Sequence, residues 1–181
     1  FLYYGDELGM GDNVNLGDRD GVRTPMQWTP DRNGGFSRAD FASVYLPPSM
    51  DPVYGFGVRN VESSRRNQSS FLQWMRLMIK VRREHPIFGT GGLSLLPVTN
   101  SAVLGYTRTP DSARHRTVLC VANFSSAAQP VELGLGEYAG LRPIELLGGV
   151  EFPAIGELPY LLTLPPYGFL TFELREHDHD F

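Results

Sequence analysis

Hydrophobic and polar positions change their pattern three times along this chain. Phe1-Leu2-Tyr3-Tyr4 is apolar without alternation and closes at Gly5, which predicts the end of a strand buried on both faces. From Gly9 to Ser70 no period is sustained. Gly, Pro, Asn, Asp and Arg dominate, broken by Trp28, Phe36, Phe41, Tyr45, Tyr54 and Phe56. Disordered segments are poor in aromatics, so this stretch reads as an ordered loop system rather than a tail. Tyr45-Leu46-Pro47-Pro48 is expected to run extended, because a residue before proline is pushed out of the helical region.

A helix is predicted over 69–84. Ser70 and Gln73 have capping-box spacing. Leu72, Met75 and Ile79 fall on one face, widened by Phe71, Trp74, Met78 and Val81. Arg82 and Arg83 suit the carboxyl end of the dipole, and Pro86 stops the helix. The Trp74/Met75/Met78 stripe reads as core packing. Beyond Gly89 come shorter apolar runs with Gly and Pro between them. Strands are predicted at 92–98, 103–109, 117–124, 131–135, 143–147, 160–164 and 169–174. Residues 131–135 and 169–174 alternate between a dry and a wet face, and 117–124 is apolar on both, as a central strand is. Pro165-Pro166-Tyr167-Gly168 is read as the turn of a hairpin joining the last two strands. The expected organisation is 1–88, then an all-β domain at 89–175, then a tail at 176–181.

Composition narrows the class. The chain has 181 residues, 41% of them hydrophobic, and a formal net charge of −4. That gives no reason to expect a nucleic acid or an anionic membrane as partner. No apolar run approaches the roughly 20 residues of a membrane helix. Cys120 is the single cysteine, so no intrachain disulfide forms, and a cytoplasmic setting is expected. Phe1 begins inside an apolar run without an initiator Met, and a fragment of a longer chain is expected. His177-Asp178-His179-Asp180 has metal-ligating residue types but reads as a solvated tail. No metal site and no cofactor are expected.

One loop has the residue types of a sugar site: Gly17-Asp18-Arg19-Asp20-Gly21-Val22-Arg23-Thr24-Pro25-Met26-Gln27-Trp28. Arg offers a planar fork of donors, Asp accepts two bonds, and Trp gives a flat apolar face. Sugar hydroxyls and the sugar C–H face ask for those three things. The alternative is a surface loop stapled by Arg–Asp pairs, and composition alone favours it. Asp6 and Glu7 resemble an acid/base pair, but neighbours on a strand point to opposite faces and cannot flank one bond. Hydrogen bonding at the strand end is the expectation for them.

The words themselves carry more. Tyr3-Tyr4-Gly5-Asp6-Glu7-Leu8-Gly9-Met10, Arg23-Thr24-Pro25-Met26-Gln27-Trp28 and Asp31-Arg32-Asn33-Gly34-Gly35-Phe36-Ser37 resemble the α-amylase superfamily. Asp51-Pro52-Val53-Tyr54-Gly55, Asn60-Val61-Glu62 and Gly156-Glu157-Leu158-Pro159-Tyr160 extend the resemblance, most closely to members that interconvert maltose and trehalose. It implies an α+β fragment: the C-terminal end of a TIM (β/α)8 barrel (last strand, active-site loops, last helix), then an antiparallel β-sandwich. The catalytic carboxylates would lie upstream of Phe1, so no catalytic residue is assigned and the chain alone is expected to be inactive. By resemblance Arg23 faces the sugar, and Arg19 and Asp20 shape the entrance. The alternative, that Arg19 and Arg23 only brace the loop against Asp18 and Asp20, stays open. The implied partners are a disaccharide (maltose or trehalose) and the upstream part of the same barrel, with homo-oligomerisation compatible. An α-glucosidase or oligo-glucosidase that hydrolyses rather than isomerises is the alternative enzyme. A carbohydrate-binding or structural β module is the alternative of another class.

Overall fold

The computed structural model describes residues 1–110 and 116–176. The chain forms two compact units, one over Phe1–Ile79 and one from Lys80 onward. The tail His177–Asp180 lies outside the described residues.

The first unit has little regular structure. Four short 3-10 turns span Asp6–Leu8, Asp20–Arg23, Arg32–Gly35 and Phe41–Ser43. Helix α1, Val61–Arg66, is six residues of mostly polar sequence. Capping makes it: Asn60 Oδ1 accepts from Ser63 N at 2.8 Å, Glu62 sits in the first turn and Arg65 and Arg66 in the last. Helix α2, Phe71–Glu84, falls within the predicted range. Half of its capping box forms. Gln73 N donates to Ser70 Oγ at 3.3 Å, while the Gln73 side chain donates to Arg65 O instead of returning to Ser70.

Phe1–Tyr4 is not a strand. All four residues are exposed and unpaired in any sheet. A parallel strand is stabilised by strands on either side, and the first unit contains none. The expected extended run at Tyr45-Leu46 is bent in place of straight.

The interior of the first unit is mostly polar. Leu8 is its one buried large hydrophobic residue, whereas Thr24, Gln27, Asn33, Ser49 and Asn60 are all buried. Along α2, Phe71, Trp74, Leu77 and Ile79 are exposed, and Val81 alone is fully buried. The apolar face that the sequence predicts is present, but it is left largely uncovered.

The second unit has the apolar core. After α3, Ile87–Thr90, seven strands follow: β1 Gly92–Leu95, β2 Val103–Thr109, β3 Val118–Asn123, β4 Gln129–Leu133, β5 Arg142–Glu145, β6 Tyr160–Leu164 and β7 Phe169–Arg175. All seven match predicted strands to within a few residues. They form an antiparallel five-stranded sheet, β1-β2-β3-β7-β5, and an antiparallel pair, β4-β6. β3 is central, as its unbroken apolar run implies. Val103, Leu119, Val121, Phe172 and Leu174 of the large sheet share one core with Val131, Leu133, Leu162 and Leu164 of the small one. The alternation along β4 puts Val131 and Leu133 inside and Glu132 outside.

The hairpin expected between β6 and β7 does not form. β6 pairs with β4, and β7 pairs with β3 and β5, so the two belong to different sheets. The Pro165–Gly168 turn, closed by Gly168 N donating to Pro165 O at 2.9 Å, carries the chain from one sheet to the other. Buried Asn123 fastens that crossing: Nδ2 donates to Ala127 O at 2.8 Å and to Pro165 O at 2.9 Å.

Candidate functional site

The Gly17–Trp28 loop is held by backbone geometry before its charged side chains are considered. Asp20–Arg23 winds into a single 3-10 turn. At its second position Gly21 is buried, and a Cβ there would stand 1.9 Å from Asp12 Oδ1, so only glycine fits. Asn13 N donates to Gly21 O at 3.1 Å, fixing the turn against Asp12-Asn13. Asp12 and Asn13 in turn line a cleft of about 400 Å3, whose other walls include Phe41, Pro48, Met50 and Asp51. Arg19, Asp20 and Arg23 do not line it.

Arg23 Nη1 lies 3.7 Å from Asp20 Oδ1, with both side chains about half exposed: 48% and 46%. An ion pair of that exposure is worth about 0–1 kcal/mol, too little to commit Arg23 to bracing the loop. Arg19 is exposed at the start of the turn. The structure therefore brings Asp20 and Arg23 together and leaves Arg19 beside them in solvent. Tyr4 stands next to this group: its hydroxyl donates to Thr24 O at 2.9 Å. Burial pushes the Tyr4 hydroxyl above its ordinary pKa, neighbouring Tyr3 adds to the rise, and the Arg23 charge opposes it.

Asp6 and Glu7 behave as expected, by hydrogen bonding locally. Asp6 Oδ2 accepts from Tyr3 N at 2.8 Å and Glu7 Oε2 from Gly5 N at 3.0 Å. Both carboxylates serve the backbone of their own turn.

The residue that sequence reasoning passed over is Gln27. It is fully buried, and its amide Nε2 donates to Tyr54 O at 3.1 Å and, in a short bond, to Arg59 O. Its own carbonyl accepts from Val61 N at 2.9 Å, and Trp28 O accepts from Glu62 N at 3.0 Å. Trp28 N and Thr29 N both donate to Gly34 O, at 2.8 and 3.0 Å. Asn33, Gly34 and Gly35 supply that acceptor by running through left-handed backbone, φ 54°, 66° and 69°, a conformation asparagine and glycine adopt most readily. A lone glutamine in a polar stretch gives no sign of burial. Its proximity to Trp28 and Pro25 was the only available signal.

Among the described residues no cluster of His, Cys, Asp and Glu could hold a metal ion, and no helix is long and apolar enough to cross a membrane.

The chain thus joins an irregular unit carrying a polar loop of Arg, Asp and Trp to a small antiparallel β domain. Residues 1–91 match the model of the alpha amylase catalytic domain, and residues 93–170 match that of the maltogenic amylase C-terminal domain. This chain belongs to the α-amylase family. It is 56% identical to the trehalose synthase of Pimelobacter sp. (strain R48), over 98% of this chain and 31% of that protein. To the trehalose synthase/amylase TreS of Mycobacterium tuberculosis (strain H37Rv) it is 54% identical, over 98% of this chain and 30% of that protein. The chain thus spans about 30% of the length of these relatives. Among solved structures, the trehalose-6-phosphate hydrolase of Bacillus licheniformis superposes with a TM-score of 0.72 at 19% identity, covering 97% of this chain and 36% of that one. The two family matches meet between residues 91 and 93, and the two compact units divide within α2.

Proposed function

We propose that this chain is the terminal part of an enzyme that isomerises maltose to trehalose, and that its loop closes the sugar site. The single observation that carries this reading is that the identity to trehalose synthases runs across both units. Residues 1–88 would complete the catalytic barrel, 89–175 form the accessory β domain and 176–181 the tail. The catalytic carboxylates would lie in the rest of the barrel, which is the principal partner of this chain. Maltose and trehalose are the substrate pair. A cytoplasmic location would keep the buried Cys120 thiol reduced.

The chemistry is a retaining glucosyl transfer. The C1–O4 bond of maltose breaks as a carboxylic acid protonates O4, and C1 passes to a carboxylate. The freed glucose turns, its anomeric hydroxyl attacks C1, and its proton returns to the first carboxylate. Nothing is oxidised or consumed. Water in place of that hydroxyl yields two glucoses, so excluding water decides the product. Arg23 is assigned to a sugar hydroxyl or a partner carboxylate, a charge-assisted bond worth roughly 1.5–3 kcal/mol. Arg19 and Asp20 are assigned to the entrance. Incubating the full-length protein with maltose tests the reading: trehalose in excess of glucose is expected, and glucose alone would replace it with a hydrolase.

A further inference from the structure

We propose that Gln27 is a positioning residue: by holding the Tyr54 and Arg59 carbonyls it fixes where Arg23 and Trp28 stand, and so sets the partition between trehalose and glucose. The inference rests on the isomerase reading above.

Between Arg23 and Trp28 the chain is fastened at two places. Thr24 O is held by the Tyr4 hydroxyl, and residues 27–28 are held by Tyr54, Arg59, Val61, Glu62 and Gly34. At the second place only the bonds from Nε2 come from a side chain; the others are backbone to backbone. Gln27 Oε1 is buried without a hydrogen-bond partner among the described residues. That fixes the amide's orientation. Turned over, Oε1 would face two carbonyl oxygens and Nε2 would have no acceptor, so the donor end must point at Tyr54 and Arg59. Both donors of the amide are thus used on that bridge. The bridge joins the loop bearing Arg23 to segment 54–60, which leads into α1 through its cap, Asn60. Without it, the Tyr54 and Arg59 carbonyls lose their donor and the loop's second fastening loosens, while the core of the β domain, Val103 to Leu174, is untouched. A loosened loop admits water to the site at the moment when glucose must turn.

The test uses the full-length enzyme and reads the ratio of trehalose to glucose formed from maltose. That ratio does not depend on how much enzyme is folded, so simple destabilisation leaves it unchanged. Gln27→Leu removes both donors, and Gln27→Asn withdraws them by one methylene, which keeps the test available if the leucine variant folds in low yield. Asn123→Ala is the control, because it weakens the β domain without touching the loop. Both Gln27 variants are expected to raise the glucose share at least threefold, with the Asn123 control at the wild-type ratio. Wild-type ratios in both Gln27 variants would overturn the inference, as would an equal shift in the control. A wild-type enzyme that makes only glucose would defeat the isomerase reading itself, whatever the variants do.

Discussion

The two units differ in what holds them together, and Phe172→Ala should separate them. Phe172 is fully buried in the core of the β domain, with its ring edge-on to Phe152 at 4.9 Å between centroids. Truncating such a residue costs about 3–5 kcal/mol. A domain of this size has only roughly 5–15 kcal/mol in total. Phe71 on α2 is the matched control. It is 43% exposed and stacks on Trp74 at 5.2 Å, so Phe71→Ala forfeits less than about 1.5 kcal/mol of burial. The assay follows from where the tryptophans are. Both of them, Trp28 and Trp74, lie in the first unit, so tryptophan fluorescence reports that unit alone. Amide protection along β3, Val118–Asn123, reports the second unit alone. In denaturant the 181-residue chain should show an early, shallow fluorescence transition and a later, steeper loss of amide protection in β3. Phe172→Ala should move only the later one, by an amount that brings it near or below the first. Coincident transitions in the unmodified chain, or equal shifts from the two substitutions, would mean that the first unit shares a cooperative core with the second.

In the full-length enzyme, Arg23→Ala should lower turnover and raise the share of glucose, and an unchanged product ratio with normal folding would reduce Arg23 to a scaffold role. The 181-residue chain alone should neither isomerise nor hydrolyse maltose, which assays of the highly purified chain would check. Burial raises the Tyr106 hydroxyl to about 12, with its hydrogen bond to Cys120 adding to the effect. The folded form therefore holds this proton more tightly than the unfolded one, so the associated stability is full below pH ~10 and declines as pH rises from there toward 12. Tyr106→Phe should flatten that decline in alkaline unfolding curves. Amide exchange should be slow across Val118–Asn123 and fast across Phe71–Ile79, and equal protection would contradict the uneven core.

Strands β1 to β7 were legible because a short apolar or alternating run between turns declares each locally: Val131-Glu132-Leu133 by alternation, Val118–Asn123 by an apolar run buried on both faces. Their assignment to sheets was not legible. Neighbours in sequence usually pair, and Pro165–Gly168 has the composition of a hairpin turn whether the next strand pairs with β6 or leaves for the other sheet. Phe1–Tyr4 reads as a buried strand from its apolarity alone, but pairing requires neighbouring strands and the first unit has none. Helix α1 escaped notice because Val61-Glu62-Ser63-Ser64-Arg65-Arg66 has no apolar face; caps at Asn60 and charges at both ends make it. The loop's charged residues could be singled out by type, since Arg and Asp in such density are rare. Gln27 could not, because its role comes from two carbonyls 27 and 32 residues away.

In the proposed reaction the freed glucose re-attacks inside a closed site. Running the full-length enzyme on unlabelled maltose with isotopically labelled free glucose tests this most directly. Trehalose carrying essentially no label is the predicted result. Trehalose labelled in proportion to the glucose pool would show that the intermediate meets solvent glucose, and that the loop does not close the site.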